Sequence, residues 1–292
     1  MHRASILAGL IGSSLFFCTL WAQDPFREYP AWEYNNFPLP KDYLVPGEWT
    51  FARLMYPSSP VYVDWQSTLH AADDWHQGNT NWTIDYPRSD RHLALAIRRL
   101  TRIDARSAEQ PVNLEQDDDV FNYPWLYAVE VGHWQLTDQM VAKFREFLDR
   151  GGFFMCDDFH GTQEWAVFTA SLQKVFPDKL IATCPFNGGG AACDVIDLPK
   201  TEAIFHTIYD LDDKYQVPGA QYLRSHRTYE FDGYDPHWRG VYDARGRVVV
   251  AICNDMDLGD SWEWADDPGY DEKFSAMGFR IAANYLVYAM TH

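Results

Sequence analysis

The sequence predicts an α/β fold with a mostly parallel sheet and helices on both of its faces. Three observations predict it. Gly152 to Cys156 (G-F-F-M-C) is a continuous apolar run, as expected of a central strand covered on both sides. The run from Met140 to Leu148 places Met140, Val141, Phe144, Phe147 and Leu148 on one helical face. Strand-like and helix-like segments alternate through the first two thirds of the chain, which is the pattern of βαβ units.

Taken in order, Thr50 to Tyr56 alternates as a first strand. A helix begins near Ser89, with Leu93, Ala96, Ile97 and Leu100 at helical spacing. Short strands are expected at Val112 to Leu114 and at Leu126 to Val131. Thr137 is placed to cap the next helix and Gly151 to end it. A further helix is expected from Thr162 to Val175, with Trp165, Phe168 and Leu172 inward. The last third reads as a β-rich insertion, with strands at Tyr229–Phe231, Gly240–Tyr242 and Arg247–Ile252. A long helix from Tyr270 to Met290 closes the chain, with Phe274, Met277, Ile281, Tyr285 and Tyr288 on its apolar face.

Residues 1–22 have the pattern of a secretory signal peptide: Arg3, an apolar run from Ile6 to Trp21, and Ala22 as a small cleavage-site residue. The expected location is periplasmic or secreted, with no stable membrane insertion after cleavage. Residues 23–48 are rich in Pro and aromatics and read as an extended arm. Residues 49–292 form a single α/β domain, with a long irregular stretch at 58–87.

The chain has 24 basic against 42 acidic residues, a formal net charge of −18. Such a surface repels phosphate backbones, so a nucleic-acid partner is excluded. Cys184 and Cys193 flank the Gly-rich segment Asn187 to Gly190, where a local disulfide is plausible in an exported protein. Cys156 and Cys253 lie in apolar runs and read as buried free thiols. Asn187 to Gly190 lacks the Lys of a phosphate loop, and no G-x-S-x-G elbow is present. Asn81-Trp82-Thr83 matches a glycosylation sequon, a frequent chance match.

Chemistry is expected at Asp157-Asp158-Phe159-His160-Gly161, with Glu164 four residues beyond His160. This segment follows the central strand, at the sheet edge where open α/β proteins bind ligands. Asp157, Asp158, His160 and Glu164 are the candidate acid–base residues, though capping of a helix start accounts for such residues equally well. A second acidic cluster runs from Asn254 to Glu263 and also follows an apolar strand. Its spacing fails the EF-hand template, and a solvated acidic turn is the simpler reading. If the two clusters meet, Asp158, His160, Asp255 and Asp260 are the candidate ligands of a divalent cation. Asn254, Asp257, Trp262, Glu263, Asp119 and Tyr123 are expected on the rim. Asp117 and Asp118 belong to the same turn as Asp119. His133, His206 and His226 stand alone in the sequence. Trp65, Trp75, Trp82, Trp262 and Trp264 are candidate stacking surfaces for a sugar.

F-A-R-L-M-Y-P (Phe51 to Pro57), L-A-I-R-R-L-T (Leu95 to Thr101), F-N-Y-P-W-L-Y (Phe121 to Tyr127), G-G-F-F-M-C-D-D-F-H-G (Gly151 to Gly161), I-F-H (Ile204 to His206) and N-D-M-D-L-G-D-S-W-E (Asn254 to Glu263) together resemble the bacterial domain-of-unknown-function family 4159 (DUF4159). The resemblance implies a flavodoxin-like sheet similar to class I glutamine amidotransferases. In those enzymes a nucleophilic Cys occupies the turn after the central strand. Here that turn holds Asp157 and Asp158, with Cys156 earlier, which argues against the inherited Cys–His mechanism. Two functions are expected on this scaffold. One is a non-catalytic envelope module for a protein partner, a small molecule or a carbohydrate. The other is a carboxylate-centred, metal-assisted hydrolase.

Overall fold

The computed structural model describes residues 25–31, 33–34, 37–60, 74–116, 118–188 and 192–292. Residues 1–22, Trp65, Asp117, Gly189 and Gly190 lie outside the described residues. The described chain is a mixed α/β structure built on one seven-stranded sheet of order β2-β1-β3-β4-β7-β6-β5. The strands are β1 (Ala52–Leu54), β2 (Gln110–Val112), β3 (Trp125–Ala128), β4 (Phe153–Cys156), β5 (Ile196–Asp197), β6 (His237–Tyr242) and β7 (Val248–Asn254). The first five in spatial order pair in parallel, while β6 and β5 extend the edge beyond β7 antiparallel.

Six α-helices accompany the sheet among the described residues: α1 (Arg88–Leu100), α2 (Asp138–Asp149), α3 (Gly161–Val175), the single turn α4 (Tyr222–Ser225), α5 (Leu258–Glu263) and α6 (Glu272–Thr291). They divide the core into two layers. Phe153 and Met155 of β4 pack with α1, α5 and α6, while Phe154 and Cys156 pack with α2 and α3. The unbroken apolar run of β4 follows from this, because alternate residues meet helices on opposite faces. No helix among the described residues is long and apolar enough to cross a membrane.

Local signals set the helix ends as expected. The Thr137 hydroxyl accepts from the Met140 N–H at the start of α2. Gly151 has φ +105°, and the Gly152 N–H returns to the Phe147 carbonyl. The inward faces of α2, α3 and α6 carry the residues their periodicity predicts.

Several expectations need correction. Tyr229–Phe231 is a turn, closed by the Gly233 N–H on the Glu230 carbonyl, with Phe231 at φ 45°. The strand expected at Val112–Leu114 ends at Val112, because the Asn113 side chain accepts from the Glu115 N–H and bends the chain. The strand expected to reach Val131 ends at Ala128, since Glu130 turns the backbone at φ 54°. Leu100 is exposed at the end of α1, and Ala94 is among the inward residues instead. Cys184 and Cys193 form a disulfide, and Cys156 and Cys253 are buried free thiols. Asn81 of the sequon is buried, so this fold withholds it from modification.

Residues of the arm reach across the domain. Glu28 pairs with Arg91, Asp42 pairs with Arg98, and the Tyr34 hydroxyl donates to Glu263. The arm thereby brings Glu33 to the sheet edge that holds the acidic clusters.

Candidate functional site

The C-terminal ends of three adjacent parallel strands each release an acidic residue in left-handed backbone: Glu130 after β3 (φ 54°), Asp158 after β4 (φ 51°) and Asp255 after β7 (φ 60°). Asp85, in the loop before α1, shares this conformation at φ 61°. Non-glycine residues there are uncommon, with Asp better tolerated than most. Each turns the chain sharply at the strand end and keeps the loop close to the sheet.

These turns enclose a cavity of about 530 Å³. Its carboxylates are Glu33, Asp85, Glu130, Asp158, Glu164, Glu230, Asp257 and Asp260, with His160 among them. Arg224 and Arg227 stand exposed at its mouth. One oxygen each from Asp85, Asp257 and Asp260 lies within 4.8 Å of the others. Glu33, Asp85 and Glu263 form a second such trio, and Glu130, His133 and Glu164 a third.

Hydrogen bonds hold most of these groups in place. The Asp157 carboxylate accepts from the Leu258 and Gly259 N–H groups at 2.6 and 2.9 Å, tying the turn after β4 to the start of α5. Asp257 caps α5 by accepting from the Asp260 N–H at 2.6 Å. Asp260 accepts from the Ala220 N–H and, at 2.9 Å, from the Trp264 indole. Glu33 accepts from the Asp85 N–H at 2.7 Å. His160 Nε2 is 3.2 Å from an Asp158 oxygen, and the His160 N–H donates to Glu164. Four buried atoms of pocket-lining residues make no hydrogen bond: Asp85 Oδ2, His160 Nδ1 and both amide atoms of Gln221. Gly259 leaves room for the first, since a Cβ there would overlap Asp85 Oδ2.

So many buried carboxyls resist ionisation together. Burial, reinforced by Asp260, pushes Glu263 up to about 10. Burial raises Glu164 to about 8, against the opposing influence of His133. Asp85, Asp158 and Asp257 are all held well above the ordinary carboxylate range, by burial first and then by their acidic neighbours. Asp157 rises to about 6 by burial, opposed by the Tyr127 hydroxyl and the α5 N–H groups.

The structure brings Asp158, His160, Glu164, Asp257 and Asp260 to one cavity and places the other sequence candidates elsewhere. Asp255 turns away and accepts from the Gly161 N–H at 2.8 Å, capping α3. Asn254 bridges Arg239 and the Phe159 carbonyl. Trp262 is core, and Glu263 lies against Tyr34. Asp119 accepts from the Tyr123 hydroxyl, and Tyr123 borders a hollow with Pro124 and Gly152 at the opposite, N-terminal edge of β3 and β4. Trp82 is wholly buried, Trp75 and Trp264 pack on the core, and none of the three lines the cavity. Sequence reasoning missed Glu33, Asp85, Glu130 and Glu230. Only Glu130 had a readable signal: it ends the apolar run of β3 as Asp157 ends that of β4.

A family model described as "Domain of unknown function (DUF4159)" matches residues 72–189 and 191–290. The protein belongs to the DUF4159 family. The match spans every pocket carboxylate except Glu33, which the arm adds to the DUF4159 domain. No curated protein matches the sequence.

Proposed function

We propose that this DUF4159 protein is an exported envelope module that holds a divalent cation in its carboxylate pocket and recognises its ligand through that cation. One observation carries the reading. Oxygens of Asp85, Asp257 and Asp260 converge within 4.8 Å, and the buried Asp85 Oδ2 among these side chains lacks a hydrogen-bond partner. All-oxygen donor sets suit hard cations such as Ca²⁺, Mg²⁺ or Mn²⁺. Arg224 and Arg227 make no ion pair among the described residues, which suits an anionic or polyhydroxylated ligand bridging cation and rim.

The parallel strand order β2-β1-β3-β4-β7 supports a flavodoxin-like frame of the amidotransferase kind, with β6 and β5 as an addition. In such frames ligands bind beyond the carboxyl ends of the strands, where this cavity lies. The turn that would carry the amidotransferase Cys holds Asp158, and burial drives the Cys156 thiol well above its usual pKa. A thiolate mechanism therefore has no support. The signal-peptide pattern of residues 1–22 supports export.

Calorimetry on chelator-treated protein tests the reading. A divalent cation at one hundred times its Kd is expected to raise the Tm by roughly 5–10 °C. Asp260→Asn is expected to weaken binding at least about tenfold. No binding heat and no Tm shift with Ca²⁺, Mg²⁺, Mn²⁺ or Zn²⁺ would overturn it.

A second reading, hydrolysis, is favoured by Glu164. A carboxyl near 8 stays protonated at neutral pH and can donate a proton, beside the Asp158–His160 contact. Turnover of p-nitrophenyl esters, phosphate esters or glycosides is then expected, and it should fall about 100-fold or more in Glu164→Gln. If the native protein shows no turnover above that variant, hydrolysis is excluded for these substrates.

A further inference from the structure

We infer that the same pocket takes a second divalent cation, at Glu130, His133 and Glu164. The inference rests on the cation reading above and adds a site of different chemistry. One donor atom from each of these three residues lies within 4.8 Å of the other two, and all three side chains are buried. Glu130 and Glu164 line the cavity that Asp85, Asp257 and Asp260 also line.

The local fold builds this group deliberately close. Glu130 turns the chain after β3, and residues Val131–His133 form a 3₁₀ turn that returns His133 toward it. His133 Nδ1 sits 2.8 Å from a Glu130 oxygen, which fixes the ring with Nε2 facing Glu164 Oε1 at 3.9 Å. A carboxylate on one ring nitrogen, with the other nitrogen presented to a site, is the arrangement that orients metal-binding histidines. Gly132 lets α3 approach, since a Cβ there would overlap the Glu164 side chain and lie 2.7 Å from its Cγ. The His160 N–H holds the other Glu164 oxygen.

A second observation concerns the same cavity. His160 is 4 % exposed and lines the cavity, and its Nδ1 makes no hydrogen bond. A buried ring nitrogen without a partner costs free energy unless a ligand or water meets it. Asp158 lines the same cavity as both groups.

The donor sets differ. Three carboxylates favour Ca²⁺ or Mg²⁺, whereas an imidazole with two carboxylates favours Zn²⁺ or Mn²⁺. The pocket is thus expected to fill with two ions of unlike preference. Without a cation, the His133–Glu130 hydrogen bond accounts for the group as a buried polar network, and that is the competing outcome.

Native mass spectrometry and calorimetry on the chelator-treated full chain, titrated with Mn²⁺ or Zn²⁺ in the presence of Ca²⁺, decide the matter. Two ions per chain are expected. His133→Gln is expected to lose the transition-metal ion and retain Ca²⁺, while Asp260→Asn loses Ca²⁺ and retains the other. Glu130→Gln, a milder change, should weaken the transition-metal site about tenfold if His133→Gln fails to fold. One ion per chain, or two that survive both His133→Gln and Glu130→Gln, overturns the second site alone. No ion at all overturns the cation reading together with it.

Discussion

Arg53→Met is expected to cost about 3–5 kcal/mol of stability, the largest effect of any single replacement considered. Arg53 lies on β1 and is fully buried, yet every N–H of its guanidinium is used. It grips Asp90 of α1 through Nε and Nη2, donates to Ser89 Oγ, and donates from Nη1 to the Trp82 and Ile84 carbonyls. The rings of Phe51, Tyr86 and Tyr127 surround it. Removing the cation strands the Asp90 carboxylate in the core and leaves two carbonyls without donors. The effect reaches the pocket, because Ile84 precedes Asp85 and the Nη1 bonds hold that loop. Chemical denaturation and cation titration of the same variant should therefore show both lowered stability and weakened cation binding. Arg53→Lys keeps the charge but not the fork, and should also lose most of the stability. A variant as stable as the native chain would mean the pair contributes nothing net.

In the presence of a chelator, the melting temperature is expected to fall as pH rises from about 5 to about 8, by on the order of 10 °C. The sign follows from the direction of the shifts. Glu164 titrates at about 8 in the fold, against an ordinary value of 4.5. The folded chain therefore holds a proton that the unfolded chain has already released. Stability from this group is full below about pH 4.5 and is lost as pH climbs through the folded value. Glu263, near 10, extends the loss further. A bound divalent cation replaces those protons as the neutralising charge, so its affinity rises with pH and the slope should flatten. Differential scanning calorimetry at several pH values, with and without Ca²⁺, checks this. A flat profile in chelator would show that the carboxylates are better solvated than their burial implies.

Much of the frame was legible because it depends on local rules. The α2 face, its Thr137 cap and the Gly151 stop are consequences of a 3.6-residue period and of backbone conformations within a few residues. The run from Gly152 to Cys156 announces a two-sided central strand. The strand ends that were misread are those where side chains or left-handed residues stop the ladder early, as Asn113 and Glu130 do. Neither leaves a periodic signal.

The site was legible in part. Asp158, His160 and Glu164 follow the central strand, and Asp257 and Asp260 follow β7, so adjacency in the sheet unites them. Asp255 stands among the same acidic residues but spends its carboxylate on the start of α3. Which oxygen meets the cavity and which meets an N–H depends on loop geometry, and sequence order does not encode it. By itself, the sequence determined the α/β class, the family resemblance, and the sheet edge where acidic chemistry gathers. Only the tertiary structure decided that Glu33, Asp85 and Glu130 complete the pocket. Glu33 meets Asp85 across 52 residues. Contacts of that range arise from packing the arm and loops against the finished sheet, where burial and mutual charge act on groups no local pattern connects.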